Sequence, residues 1–203
     1  AEMLGSFTGE SFHPRITREK LTENTEIVLI EPPCGSNTAI LINGGKALFI
    51  DGGFAIYREE MLKIFRELFD DFDSMEKVMF ITHSDIDHCG LLDDFDKIIA
   101  SEASKKSLEL EFEGKDNFRE QNILHKPYIR ICKALTGYRP CDPQKIVVPW
   151  QSPKELTEPL TSIGFLDFGD LHFEVFEGKG GHIYGETVLI DYVNKIAFTG
   201  DIY

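Results

Sequence analysis

The strongest constraint on the fold of this chain is an apolar run, "KVMFI", that opens directly into the loop "THSDIDHCGL" at residues 82–91. A short continuous apolar run bounded by polar residues reads as a buried strand. Loops at the C-terminal ends of buried strands are favoured site positions in α/β folds. Here the loop carries His83, Asp85, Asp87 and His88, four potential metal ligands within six residues. In an extended segment i and i+2 point the same way. His83, Asp85 and Asp87 can therefore share a direction until the chain turns, where His88 swings in. Four ligands on one segment exceed what one metal draws from a single loop. They suit two metals side by side, with further ligands supplied from elsewhere.

Two comparable loops offer them. His182 sits in "GKGGHIYGE", a glycine-rich turn between two strand-like runs, and Asp201 sits in "FTGDIY", directly after another. A carboxylate after a glycine can reach between two cations and bridge them.

The rest of the chain supports a layered α/β domain. "EIVLIEP", "NTAILIN" and "ALFID" are strand-like, and Gly44-Gly45 between the last two is a hairpin signal. Residues 57–70, "YREEMLKIFRELFD", place Met61, Leu62, Ile64, Phe65, Leu68 and Phe69 on one helical face. "CGLLDDFDKII" reads as a short helix that runs into a strand, which implies a βαβ unit and a partly parallel sheet. Residues 102–144 form a helical excursion, with Gly114 and Pro127 as breaks. Strands then return in "KIVVPW", "IGFLDFG", "LHFEVFEG", "ETVLIDYV" and "KIAFTG". Residues 1–24 form an N-terminal arm or edge element, and the domain proper is expected over 25–203. The sequence stops at "GDIY", just after a strand, so the expectation is that the C-terminal part of the domain is missing.

Composition narrows the partners. A net charge of −14 argues against a general nucleic-acid binder, which needs a clustered basic surface. No apolar run approaches the ~20 residues of a membrane span, and the N-terminal region shows no secretory signal pattern. Cys34, Cys89, Cys132 and Cys141 form no C-x-x-C pair and read as reduced thiols of a cytoplasmic protein. Cys89 adjoins the histidine loop and reads as a small buried residue.

In this order "THSDIDH" (82–88), "GGHIYG" (180–185) and "FTGD" (198–201), with the opening "NTAILING…ALFIDGGF", resemble the metallo-β-lactamase-fold superfamily over about residues 25–203. Its pattern is T-H-x-H-x-D-H, then G-H, then G-D, then a final His that would follow residue 201. The resemblance implies a four-layer αββα sandwich of mixed sheets with a helical insertion around 102–144. It implies that His83, Asp85 and His182 hold one metal, Asp87 and His88 the second, and that Asp201 bridges them. Asp51 would be structural in its turn. The departure is Asp85 where the hydrolases have His: an anionic oxygen replaces a neutral nitrogen, shifting preference from zinc toward iron or manganese.

The expected function is a metal-dependent hydrolase with two divalent cations, zinc first. It would act on a small ester, thioester, lactone or phosphodiester, with Asp87 orienting the attacking water. The alternative is a diiron protein that binds or reduces oxygen or nitric oxide, similar to flavodiiron proteins, which place an acidic residue at the position of Asp85. The 102–144 helices would roof the cleft, where His125 and Tyr128 are candidates to touch substrate.

Overall fold

A computed structural model describes residues 2–152, 156 and 158–202. The first sheet has seven strands in sequential order: β1 (Arg15–Lys20), β2 (Thr25–Glu31), β3 (Thr38–Asn43), β4 (Lys46–Ile50), β5 (Val78–Phe80), β6 (Lys97–Ile99) and β7 (Ile146–Val147). β1 to β4 pair antiparallel, while β4 to β7 pair parallel. The second sheet has four antiparallel strands: β8 (Leu160–Phe168), β9 (Leu171–Gly178), β10 (Thr187–Asp191) and β11 (Ile196–Phe198). The helices are α1 (Glu2–Gly5), α2 (Arg58–Leu68), α3 (Glu102–Phe112) and α4 (Lys126–Thr136).

The β3–β4 turn shows why the local sequence fixes register. Gly44 and Gly45 both have positive φ, 55° and 80°, which a two-residue hairpin of the twist-compatible type requires and which glycine adopts without a Cβ penalty. That turn sets Asn43 opposite Lys46 and carries the alternation up both strands.

β3, β4 and β5 are buried on both faces, and their residues alternate between two cores. Ile40, Phe49 and Met79 join α2 and the other helices in one apolar cluster, which includes Met61, Leu62, Phe65, Phe95 and Leu108. Ala39, Leu41, Leu48, Ile50 and Phe80 face the opposite way, against Phe173, Val175 and Leu189 of the second sheet. A strand sandwiched in this way needs apolar side chains at nearly every position, which is what "TAILIN" and "KALFI" supply. The four Met61, Leu62, Ile64 and Phe65 side chains of α2 are buried, each worth roughly 1.5–3 kcal/mol.

The described residues thus build three layers: helices, seven-stranded sheet and four-stranded sheet. Three expectations change in detail. "CGLLDDFDKII" forms only a 3₁₀ turn over Leu92–Asp94 before β6, because Lys97–Ile99 must stay extended to pair with both β5 and β7. Residues 118–125 lie outside α4, so the helix is shorter than its sequence suggests. Pro127 starts α4 instead of breaking it, since a first-turn N–H has no intrahelical partner to lose. The N-terminal arm supplies β1, paired on one side only, at the sheet edge. No helix among the described residues is long and apolar enough to cross a membrane. The four cysteines are free.

Candidate metal centre

Four strand ends meet at one edge of the sandwich. Asp51 follows β4, the 82–88 loop follows β5, His182 lies between β9 and β10, and Asp201 follows β11. The two sheets are joined there: the Thr82 carbonyl accepts from the Thr187 N–H at 2.8 Å and from its hydroxyl at 2.9 Å. This connection brings the β5 loop to the start of β10.

Asp51 organises both buried histidines of the loop. It is itself in the left-handed region, φ 60°, and its carboxylate accepts from the Thr82 N–H and Thr82 hydroxyl, each at 2.8 Å. His88 Nδ1 lies 2.9 Å from Asp51 Oδ2, and His83 Nδ1 lies 3.0 Å from Thr82 Oγ1. The Thr82 hydroxyl hydrogen is already given to Asp51, so His83 must donate to Thr82, and His88 donates to the carboxylate. Both imidazoles therefore carry a proton on Nδ1 and turn Nε2 the other way, where it offers a lone pair once it is unprotonated. A carboxylate behind a histidine is the usual outer support of a metal ligand.

Beyond those lone pairs the acceptors converge. His83 Nε2 is 3.6 Å from Asp85 Oδ2, and Asp85 Oδ2 is 2.9 Å from His182 Nε2. His88 Nε2 is 3.6 Å from Asp201 Oδ1, while Asp201 Oδ2 is 3.5 Å from His182 Nε2. Two groups of three emerge, with ligand atoms of each within 4.8 Å of one another: His83, Asp85 and His182, and His83, His88 and Asp201. The two oxygens of Asp201 each face one histidine of a different group. Asp87 stands at the rim, 3.8 Å from His88 Nε2, with the Ser36 hydroxyl donating to it at 3.1 Å.

The residues fit a metal. His83 is fully buried, yet its Nε2 has no hydrogen-bond partner. A buried lone pair without a donor is costly, and a cation between His83 and its neighbours would satisfy it. The donor set mixes imidazole nitrogen with carboxylate oxygen, which suits zinc, iron and manganese alike.

Two further side chains complete the site. Arg119, from the segment before α4, donates to Asp85 from Nε at 2.9 Å and from Nη2 at 2.5 Å, and the same Nη2 lies 2.6 Å from His182 Nε2. Burial would raise the Asp85 pKa, but His83 and Arg119 outweigh it and hold the carboxyl well below the usual range. Burial likewise opposes the His88 cation, but Asp51, Asp201 and Asp87 outweigh it and push the imidazole up. Glu186, almost fully buried, accepts from the Asp201 N–H at 2.5 Å and lies 3.6 Å from His83 Nδ1. Burial pushes its carboxyl up. Gly200 has φ 54°, and a Cβ there would meet Glu186 Oε1 at 2.8 Å, so the glycine of "TGD" is what lets Asp201 approach.

The sequence pattern thus names the six ligand candidates, and the structure brings His83, Asp85, His88, His182 and Asp201 together, with Asp87 beside them. Arg119 stands in no motif and its partners are distant along the chain, while Glu186 closes the "GKGGHIYGE" turn but is not among the site residues that the sequence pattern names. His125 and Tyr128 line a cavity that reaches the centre.

A helix-backed β-sandwich with histidines and aspartates gathered on strand-end loops defines a metal-site α/β protein. The chain belongs to the metallo-β-lactamase superfamily, whose model matches residues 32–202. Among solved structures, the chain is similar to the metallo-β-lactamase MIM-1 from Novosphingobium pentaromativorans, with TM-score 0.56 and 18% identity, covering 100% of this chain and 71% of that one. It is also similar to Rm3 metallo-β-lactamase, with TM-score 0.54 and 18% identity over 85% of this chain and 55% of that one. A flavo-diiron protein mutant from Thermotoga maritima matches with TM-score 0.49 and 14% identity, covering 89% of this chain and 40% of that protein. The likenesses to MIM-1 and Rm3 show the fold. The chain spans about half or less of the length of the Rm3 and flavo-diiron chains. No curated protein sequence matches.

Proposed function

We propose that the protein is a metal-dependent hydrolase that uses two divalent cations to cleave a small ester or thioester. The observation that carries this reading is the pair of ligand groups that share His83, with Asp201 facing His88 from one oxygen and His182 from the other. His83, Asp85 and His182 would hold one cation, His88 and Asp87 the other, and Asp201 would face both. When bound, such a pair supplies Lewis-acid polarisation of the substrate oxygen and acidifies water toward a pKa of ~7.

The chain's own groups do the rest. Asp51, through His88 directly and through Thr82 to His83, keeps both Nε2 lone pairs aimed inward. Glu186 fixes the Asp201 backbone. Asp87 touches the ligand cluster from its rim and is held by Ser36. It is placed to accept a proton from the attacking water and pass it to the leaving group. In the balanced step the water oxygen bonds to the acyl carbon, the acyl–oxygen or acyl–sulfur bond breaks, and the water proton ends on the departing alcohol or thiol.

Asp85 supports a second reading. An acidic ligand in place of a histidine hardens the site, which favours iron and a diiron protein acting on oxygen or nitric oxide. Metal content and a substrate panel separate the two. With the hydrolase, a panel of esters, thioesters and lactones gives turnover that a chelator abolishes, and Asp87→Ala lowers kcat by at least a hundredfold and weakens retention of the second cation. Normal turnover in that variant would overturn the assigned role of Asp87.

A further inference from the structure

The metal centre opens on one side into a cavity of about 530 Å³, within the range of small-molecule sites. Asp85, Asp87 and His182 line its inner end, so whatever fills it is attached directly to the reacting group. Its apolar lining comes from Phe54, from Ile86 of the histidine loop itself, and from Ile129 and Ile131 of α4. Its one guanidinium, Arg119, is already bound by Asp85 through two nitrogens. Among the described lining residues outside the metal loops, that leaves His125 as the other basic side chain. The cleft on the other side of the centre, about 460 Å³, differs in character: Ser36, Asn37, Thr199 and Asp201 line it. Asp87 borders both spaces.

From these features we infer that the cavity between the histidine loop and α4 holds the apolar acyl arm of the substrate, a medium-length aliphatic chain, while the polar leaving group occupies the second cleft. This rests on the hydrolase reading and narrows it: acyl esters or thioesters with medium-length acyl groups, and not phosphodiesters or short acetyl compounds. α4 is then the element that selects substrate. Ile131, 57% exposed, stands at the mouth. Leu135, 54% exposed on the same helix, is not part of the cavity lining and carries no such role.

The test uses binding as well as turnover. Acetate, hexanoate and octanoate are titrated calorimetrically into the protein as purified, and the matching p-nitrophenyl esters are assayed alongside. Burial of each added methylene is worth about fourfold in affinity, so octanoate should bind roughly fifteenfold tighter than hexanoate, and acetate should show no measurable heat. Ile131→Glu should erase the chain-length dependence, and Leu135→Glu should preserve it. An Ile129→Ala variant, which keeps the wall apolar, should weaken octanoate binding several-fold. Turnover with no dependence on chain length, or chain-length dependence that survives Ile131→Glu, overturns the acyl cavity with the hydrolase intact. Chain-length-dependent binding without hydrolysis of any ester overturns the hydrolase reading and leaves the apolar cavity standing.

Discussion

Asp51 accepts three hydrogen bonds in a backbone conformation that non-glycine residues seldom adopt, and two of those bonds decide which way His83 and His88 present their lone pairs. Asp51→Asn keeps the shape but places an amide where the carboxylate faces three donors. It should destabilise the fold by roughly 1–3 kcal/mol and weaken metal affinity ten- to a hundredfold, read by denaturant unfolding and by metal competition. His88 gives a pH signature. Its folded pKa lies above the ordinary 6.5, so its contribution to the metal-free fold is fully present below that value and is lost as pH rises through the folded one. Asp85 works in the opposite direction: its contribution is present above 3.8 and is lost as pH falls through its depressed folded value. Thermal unfolding in chelator should therefore show Tm declining on the alkaline side of neutrality, and His88→Gln should flatten that decline. Metal affinity should rise over the same range, because the cation displaces the His88 proton.

At this scale the motif residues were legible because a loop of six residues holds four of them. Arg119 was not, since its partners Asp85 and His182 are distant in sequence and only the fold brings them together.

At the scale of elements, the insertion between β6 and β7 holds its shape through buried charge. Lys133 of α4 pairs with Glu111 of α3 and, at 3.2 Å, with Glu120, and the Tyr138 hydroxyl donates to Glu111 at 2.7 Å. Both glutamates are buried. Lys133→Met would remove the ammonium both buried carboxylates share, leaving Glu111 with Tyr138 and Glu120 with Arg130, and should cost about 3 kcal/mol, measured as a shift in urea midpoint. Lys133→Arg should recover part of it. The helical character of residues 102–112 and 126–136 was readable from composition. The sequence pattern did not show that Pro127 sits in the first turn of α4, nor that 118–125 form turns: helix propensity spans both stretches, and the link from Asp116 to Lys126 and Arg130 is tertiary. β6 was half legible for the same reason. Leu91, Leu92 and Phe95 have helical spacing, but pairing on both sides holds Lys97–Ile99 extended.

At the scale of the molecule, the strand order of the first sheet follows the chain, so β3 to β5 and their crossover helix were foreseeable from "NTAILIN", "ALFID" and "KVMFI". What is not written locally is that β10 docks on the end of β5 through Thr82 and Thr187. Without that contact His182 and Asp201 are a lone histidine in a glycine turn and a lone aspartate after one. With it they face His83 and His88, and the three loops become a single centre. The most direct test of that centre is elemental analysis of the protein purified without added metal. The expected result is about two divalent metal ions per chain, falling to about one in Asp201→Ala with the fold unchanged by circular dichroism. A chain that folds normally and carries no metal, even after dialysis against zinc, iron or manganese, would contradict the assignment of these loops as a dinuclear site.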